Sequence, residues 1–267
     1  MKPKLVISIV LYNNQSSQIK RLLTEFISFS NKNYDICESK LVLTDNYSTS
    51  QDTISYLKQI DENKIENIKI ITLQENRGFG GGHNVAFKMI ASNYFFVLNP
   101  DIIGLSNIDI ESSVNYLKEH QEVGMLVPKL YDPDSKLQLT NKLQSTVFDQ
   151  FIRLLGSNFF RSRQRKFNQA DSHSAYNQVN VINNAQGAAM LFVSDIYQKI
   201  DGFDEKYFLY MEDADITMKV NRVARSIYFP DMVLIHEWQQ NNRSIKGVKI
   251  MIQSMFIYYR KWGWKLW

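Results

Sequence analysis

Lys4–Asn14 reads KLVISIVLYNN. Lys4–Val10 is a short apolar run rich in Val and Ile, and polar Asn13–Asn14 close it. That pattern is a buried strand ending in a turn. Lys40–Thr44, Asn67–Leu73, Tyr94–Leu98 and Val123–Val127 read the same way. Helical stretches separate them. Ser16 or Ser17 caps a helix whose Ile19, Leu22, Leu23, Phe26 and Ile27 share one face. Further helices run from about Asp52 to Ile60, over Gly81–Ser92 and over Ile108–His120. Strands alternating with helices predict an α/β fold: a Rossmann-like, mostly parallel central sheet with right-handed crossovers and flanking helices.

After Pro128 the rhythm changes. YDPDSKLQ (131–138) marks a turn, Val147–Phe160 is amphipathic, and 161–177 is polar and basic. Residues 140–178 are therefore expected to form a mobile insertion. Val179–Ile182 and Ala188–Val193 then read as strands around Gly187, Glu212–Arg225 as a helix, and Ile227–Phe229 and Met232–Ile235 as strands. Lys246–Trp262 reads as a helix with Ile250, Met251, Met255 and Phe256 in the core. No linker or repeat divides the chain. We expect one domain over 1–240 and a helical, aromatic extension over 241–267 packed on it.

Composition narrows the classes. The chain has 267 residues, 44% of them hydrophobic, enough for a sizeable core. Its single cysteine, Cys37, excludes an internal disulfide and fits a reducing compartment. No signal segment and no run of eighteen apolar residues is visible. A cytoplasmic protein is expected, associated with the inner face of the membrane. Arg153, Arg161, Arg163, Arg165 and Lys166 form one basic cluster, and Lys246, Lys249, Arg260, Lys261 and Lys265 another. Such clusters suit anionic partners, phosphates or lipid headgroups among them.

In open α/β sheets, ligands bind beyond the carboxyl ends of the strands. Those ends carry Tyr12–Asn13, Asp45–Asn46, Asn76–Arg77–Gly78 and Asn99–Pro100–Asp101. Asp101 is placed to hold a Mg²⁺ or Mn²⁺ ion bridging a diphosphate, and His236, closing the run MVLI, is a second metal-ligand candidate. FGGGHN (79–84) is no dinucleotide fingerprint, because His83 stands where a glycine is required and the loop follows the third strand. Gly80–Gly82 imply close approach of backbone to a ligand or a neighbouring element, and His83 reads as structural. Phe203–Asp215, FDEKYFLYMEDAD, sets five acids among Phe203, Tyr207, Phe208 and Tyr210. Acids beside large apolar groups are paired, bind metal or move protons. The plainer reading is an acidic first turn of a helix starting near Glu212.

VISIVLYNN, LTDNYST, ENRGFGGGHN, FFVLNPD, GAAMLFV, GFDEKYFLYMEDADITMKV and LIHEW together resemble the family-2 inverting glycosyltransferases of the glycosyltransferase-A fold, in the family's order over residues 4–238. RSI and QSMFIYYRKWG near the C-terminus resemble its rhamnosyltransferase branch. The resemblance implies transfer of L-rhamnose from dTDP-L-rhamnose to a lipid-diphosphate-linked glycan in bacterial cell-surface polysaccharide (O-antigen or capsule) assembly. It implies Tyr12, Asn13, Asp45, Asn46, Arg77, Gly81, Gly82 and Asn99 around the donor nucleotide. It implies Asp101 and His236 at the metal and Asp213 as catalytic base, and Glu212, Asp215 and Trp238 are candidates for the acceptor side. Asn99 replaces the first carboxylate of the family's metal motif, a departure that bears on metal binding. The rivals are a UDP-sugar donor (galactofuranose or N-acetylglucosamine) and a non-catalytic nucleotide-sugar-binding scaffold. No nucleic-acid partner is expected. The Trp-rich end is expected to meet a membrane or to form a homodimer.

Overall fold

The computed structural model describes residues 1–155, 160–237 and 245–267. The first half alternates strictly: β1 (Lys4–Leu11), α1 (Ser16–Lys32), β2 (Glu38–Asp45), α2 (Gln51–Glu62), β3 (Ile68–Thr72), α3 (Gly78–Met89) and β4 (Tyr94–Leu98). Then follow β5 (Ile102–Ile103), α4 (Ile110–Glu119), β6 (Val123–Tyr131), α5 (Val147–Leu155), α6 (Arg161–Phe167) and α7 (His173–Asn177). The last part holds β7 (Asn180–Val181), β8 (Ala189–Val193), α8 (Ser194–Lys199), α9 (Glu212–Asn221), β9 (Arg225–His236) and α10 (Ile245–Trp262).

The strands form one mixed sheet in the order β3-β2-β1-β4-β8-β6-β9-β5, with β7 paired to β9. The β1–β4 half is parallel, as the alternation predicts. β8 runs antiparallel to both β4 and β6, whereas β6 and β9 are parallel. The chain enters β8 from the carboxyl rim of β4, so β8 runs the opposite way and Ala189 pairs with Leu98. That reversal brings Gln186 and Gly187 to the rim.

Alternation along each strand fills both faces of the sheet. Ile7, Ile9 and Phe96 pack with Leu22 and Phe26 of α1 on one face. Val6, Phe95 and Val97 pack with Tyr197, Phe203 and Ile216 on the other. Each such fully buried side chain stabilises the fold by roughly 1.5–3 kcal/mol.

Several expectations shift. Ile27 is exposed and Phe29 completes the buried face of α1, because spacing from Phe26 by three, not one, keeps a residue on the same side. α3 begins at Gly78, so the whole glycine run is helical. The two strands expected around Pro230 are a single β9, with a register irregularity opposite Pro128–Lys129 absorbing the proline. β5 and α8 were not legible in the pattern, and three short helices stand within 140–178. The predicted helix Val147–Phe160 includes 156–159, which lie outside the described residues, as do Arg243 and Ser244 of the RSI pattern. α10 buries Tyr258 and Tyr259 against Tyr207, Met211 and Ala214, with Met255 alongside. Phe256, expected in the core, points outward at 54% exposure, and Ile250 and Met251 are only half-buried.

Candidate active site

The rim is built by side chains that tie strand ends together. Asn13 adopts a left-handed backbone (φ 58°). Its Oδ1 accepts from the amides of Thr49 at 2.7 Å and Ser50 at 2.8 Å, fixing the entry to α2. Asp45 Oδ1 accepts from Ser48 N at 3.0 Å. Asn46, buried, donates to Asn76 Oδ1 at 3.0 Å and Gly78 O at 2.9 Å and accepts from Arg77 N at 2.9 Å. These three predicted donor-side residues thus hold the rim's shape, Asp45 through a local turn bond and Asn13 and Asn46 by tying separate loops together. Tyr12, half-exposed at 52%, is open beside them.

The glycine run serves close packing. A Cβ on Gly80 would lie 2.5 Å from Phe203 Cβ, and one on Gly82 would lie 2.7 Å from Val10. Gly78 combines φ +71° with Phe208 O at 2.3 Å from the Cβ position. α3 is thereby pressed onto β1 and onto 203–208. Of the two readings left open by the sequence, a neighbouring element is the one seen for Gly78, Gly80 and Gly82. Arg77 meets Glu205 at 2.5 Å, and that carboxylate also lies 3.6 Å from the Gly81 Cβ position. Asn84 fastens the same loop. Its Nδ2 donates to Phe203 O at 2.9 Å and Glu205 Oε1 at 3.1 Å, while its Oδ1 accepts from Tyr197 OH at 2.8 Å and Phe203 N at 2.9 Å. His83 lies in the interior. It is fully buried with Nδ1 2.8 Å from Ser8 Oγ, and desolvation pushes its pKa down to about 3.

Asp101 and His236 do come together. β5 pairs Ile102 with His236, and Asp101 Oδ1 lies 3.3 Å from His236 Nε2. Neither of those two buried atoms has a hydrogen-bond partner among the described residues. Gln138 Nε2 donates to the His236 carbonyl at 2.8 Å, so its Oε1 is the atom 3.0 Å from His236 Nδ1. The longer contact of that ring nitrogen, 3.5 Å, is with Gln186 Nε2. An amide oxygen only accepts, so Nδ1 carries the proton and Nε2 presents a lone pair to a carboxylate oxygen. Two facing acceptors call for a proton or a cation between them. Two ligands about 2.1 Å from a divalent ion at near-octahedral angles stand about 3 Å apart. The pair fits a divalent metal, with Gln138 orienting the histidine from behind. Among the described residues no cluster of three or more His, Cys, Asp or Glu side chains is present, so other oxygens, such as diphosphate and water, would complete the coordination.

The acidic loop shows how the sequence sets its geometry. Tyr210 and Met211 both have positive φ, 71° and 65°, directly before α9. Each non-glycine residue there costs roughly 1–3 kcal/mol, which the surroundings must offset. The turn delivers Glu212 and Asp213 at the helix N-terminus. Asp213 is half-buried; its Oδ1 accepts from Ala214 N at 2.7 Å and its Oδ2 from Gly187 N at 3.3 Å. Glu212 is buried with Oε2 unpartnered among the described residues. Desolvation, with the neighbouring Asp213 charge adding, pushes its pKa up to about 8. Asp215 is fully buried and engaged by Tyr207 OH at 3.2 Å, Trp262 Nε1 at 2.7 Å and Lys261 Nζ at 2.8 Å. It faces α10 and not an open acceptor side, because i and i+2 point to different faces of a helix.

Gln186 and Gly187, adjacent in sequence, join the two halves: one touches His236 and the other Asp213. Asn99 N donates to Ala188 O at 2.9 Å, which places the Asn99–Asp101 turn beside them. Asp101, His236 and Asp213 therefore meet at one rim, at the end of β4. Trp238 lies outside the described residues. Gln138 and Gln186 escaped the sequence reading; isolated amides carry no spacing signal, and only the topology brings them here. A cavity of about 420 Å³ between α3 and α8, lined by Lys88, Ser92, Asp195 and Gln198, contains none of the predicted site residues.

Comparison with known proteins gives the family and the fold. The profile of Glycosyl transferase family 2 matches residues 6–186. The chain is 25% identical over 193 residues to Rhamnosyltransferase WbbL of Escherichia coli (strain K12), a match spanning 68% of this chain and 69% of that one. It is 22% identical over 216 residues to N-acetylglucosaminyl-diphospho-decaprenol L-rhamnosyltransferase of Mycobacterium tuberculosis (strain CDC 1551 / Oshkosh), covering 73% and 66%. Its fold is similar to that of the mannosyltransferase PcManGT from Pyrobaculum calidifontis in complex with GDP-Man and Mn²⁺. That likeness has a TM-score of 0.64 at 14% identity, over 97% of this chain and 65% of that one. The chain belongs to glycosyl transferase family 2.

Proposed function

We propose that this family-2 glycosyltransferase moves L-rhamnose from dTDP-L-rhamnose, with inversion, onto a hydroxyl of a lipid-diphosphate-linked glycan. The observation that carries the reading is the meeting, at one rim, of a half-buried carboxylate on a helix N-terminus (Asp213) with the facing acceptors Asp101 and His236. The rhamnosyl choice is supported by the names of the two relatives, and the lipid-diphosphate acceptor by that of the mycobacterial one. The biological setting that follows is bacterial cell-surface polysaccharide assembly, of the O-antigen or capsule kind.

The chemistry is a single displacement. The acceptor oxygen forms a bond to the anomeric carbon while the bond to the diphosphate oxygen breaks. Asp213 takes the acceptor's proton, since a sugar hydroxyl is a weak nucleophile at neutral pH. Its two amide contacts, Gly187 and Ala214, fix the carboxylate's orientation. Asp101 and His236 would hold Mg²⁺ or Mn²⁺, which when bound offsets charge on the departing diphosphate. Tyr12 would lie along the nucleotide base, with Asn13, Asp45, Asn46 and Asn99 shaping the floor under it. Arg77 and Gly81 would line the sugar–diphosphate side, Arg77 by exchanging Glu205 for phosphate oxygens, whereas Gly82, expected there, packs on Val10 instead. Glu212 is proposed beside the acceptor. Residues 1–240 would form the catalytic domain and 241–267 an extension packed on it.

A second observation supports a partner for the C-terminal extension. α10 and the tail expose Ile252, Phe256, Trp264, Leu266 and Trp267. Lys249, Arg260 and Lys265 are exposed among them, and 245–267 contains no acidic residue. Aromatics mixed with basic side chains suit an anionic bilayer surface. Among the described residues no helix is long and apolar enough to cross a membrane, so contact would be peripheral, on the cytoplasmic leaflet where a lipid-linked acceptor would lie. Cosedimentation with vesicles containing phosphatidylglycerol, lost in Trp264→Ala/Trp267→Ala, tests it; a concentration-dependent dimer without vesicle binding would assign the patch to a second copy.

The function is tested by melting-temperature shifts with dTDP-rhamnose, dTDP, UDP, UDP-sugars and GDP, each with and without Mg²⁺ or Mn²⁺. Selective, metal-dependent stabilisation by dTDP compounds is expected. Preference for UDP or GDP would discard rhamnose and keep the mechanism. No shift for any nucleotide would favour a scaffold.

A further inference from the structure

We infer that α10 is a positioning element for the proposed base, acting through Lys261 and Trp262; this rests on the assignment of Asp213 above. Neither residue reaches Asp213. Lys261 grips both flanks of the strained turn that presents it, and Trp262 grips the C-terminal one.

On the C-terminal flank, Asp215 stands two residues beyond Asp213 and is fully buried. Trp262 Nε1 donates to its Oδ1 at 2.7 Å. Lys261 Nζ donates to its Oδ2 at 3.0 Å and lies 2.8 Å from Oδ1. On the N-terminal flank, the same Lys261 ammonium donates to Asp204 Oδ2 at 3.0 Å. One cation thus bridges both ends of the segment 204–215. Two further bonds close the frame: Tyr207 OH to Asp215 Oδ1 at 3.2 Å, and Ser254 Oγ to Leu209 O at 2.8 Å. The Arg222 guanidinium lies 4.2 Å over the Trp262 ring, which ties the same corner to the residue after α9.

Between these anchors lie Tyr210 and Met211, the two consecutive left-handed residues. A backbone in that region persists only where its surroundings over-determine it. The Lys261 bridge from α10 spans the turn, and the Tyr207–Asp215 bond spans it from within the loop. Release of the anchors would let Tyr210–Met211 relax, and Glu212 and Asp213 would move with them. The sequence pattern Arg260-Lys261-Trp262 thereby gains a role that neither membrane contact nor core packing explains. The ammonium and the indole N–H both reach the buried Asp215.

The test uses the full chain with Lys261→Met, Lys261→Arg and Trp262→Phe, the last keeping the ring and removing only its N–H. Two readouts are taken. Amide hydrogen exchange is followed over 203–217 against the β1 and β4 peptides, and release of dTDP from dTDP-L-rhamnose with Mg²⁺, water taking the rhamnosyl group, is measured for kcat and KM. We expect faster exchange confined to 203–217 in Lys261→Met and Trp262→Phe. We expect kcat down about 10- to 100-fold with donor KM little changed, as for a displaced catalytic group, and recovery of most of both in Lys261→Arg. Unchanged exchange at 203–217, or equal loss of protection throughout the sheet, would overturn the inference. So would unaltered kcat alongside faster exchange. If the unsubstituted protein releases no dTDP, the reading of its function has failed instead, and the exchange pattern alone decides whether α10 holds the turn.

Discussion

Gln138 and His236, 98 residues apart in the chain, share two hydrogen bonds, one from the amide nitrogen to the backbone carbonyl and one at ring Nδ1. The first fixes the amide's orientation and the second therefore fixes the tautomer. His236 Nε2 is left as a lone-pair donor facing Asp101. Gln138→Leu should weaken Mn²⁺ dependence of nucleotide binding about 10- to 100-fold without abolishing the fold. A Mn²⁺ titration of the dTDP-induced melting shift measures it. An unchanged midpoint would show that the histidine needs no orienting partner.

Asp213→Asn keeps the shape of the side chain and one of its two amide contacts, since an amide nitrogen cannot accept, and removes its basicity. Turnover should fall by about 10²–10⁴ while dTDP affinity survives. Parallel calorimetry and transfer assays separate the two quantities. Turnover close to that of the unsubstituted protein would move the base to another group.

Glu212 makes stability depend on pH in a defined sense. Its folded pKa, about 8, lies above the unfolded carboxyl value of 4.5. Between those values the folded state holds a proton that the unfolded state has lost, so stability is full below about pH 4.5 and declines as pH rises towards 8. Glu212→Gln removes that contribution. The melting temperature of the variant should fall less from pH 5 to pH 8 than that of the unsubstituted protein. Parallel curves for the two proteins would contradict the assignment.

Gly78→Ala meets two obstacles at once, a left-handed φ of +71° and the Phe208 carbonyl oxygen 2.3 Å from the new Cβ. A loss of about 2 kcal/mol or more in urea unfolding is expected. Gly263→Ala has φ +94° but open space around it, and should cost about 1 kcal/mol. Equal losses at the two sites would mean that backbone strain alone, without the close approach of α3 to the acidic loop, accounts for both.

The sequence by itself determined the first half of the sheet. VISIV, LVLT and YFFVL are too apolar to lie anywhere but inside, and the polar residues that end them had to fall on one rim. It also determined that Asp101, His236 and an acidic helix start were candidates, since carboxylates and a histidine bordering buried strands need partners. Tertiary structure alone decided which of those residues meet. Antiparallel β8 carries Gln186 and Gly187 to the rim, and no periodicity announces a strand's direction. The glycines of α3 proved to be contacts with Val10, Phe203 and Phe208, distances that one-dimensional spacing does not encode. Asp213 and Asp215 looked alike in the string EDAD. A helix turns about 200° between them, leaving one half-buried beside Gly187 and the other enclosed by Lys261, Trp262 and Tyr207.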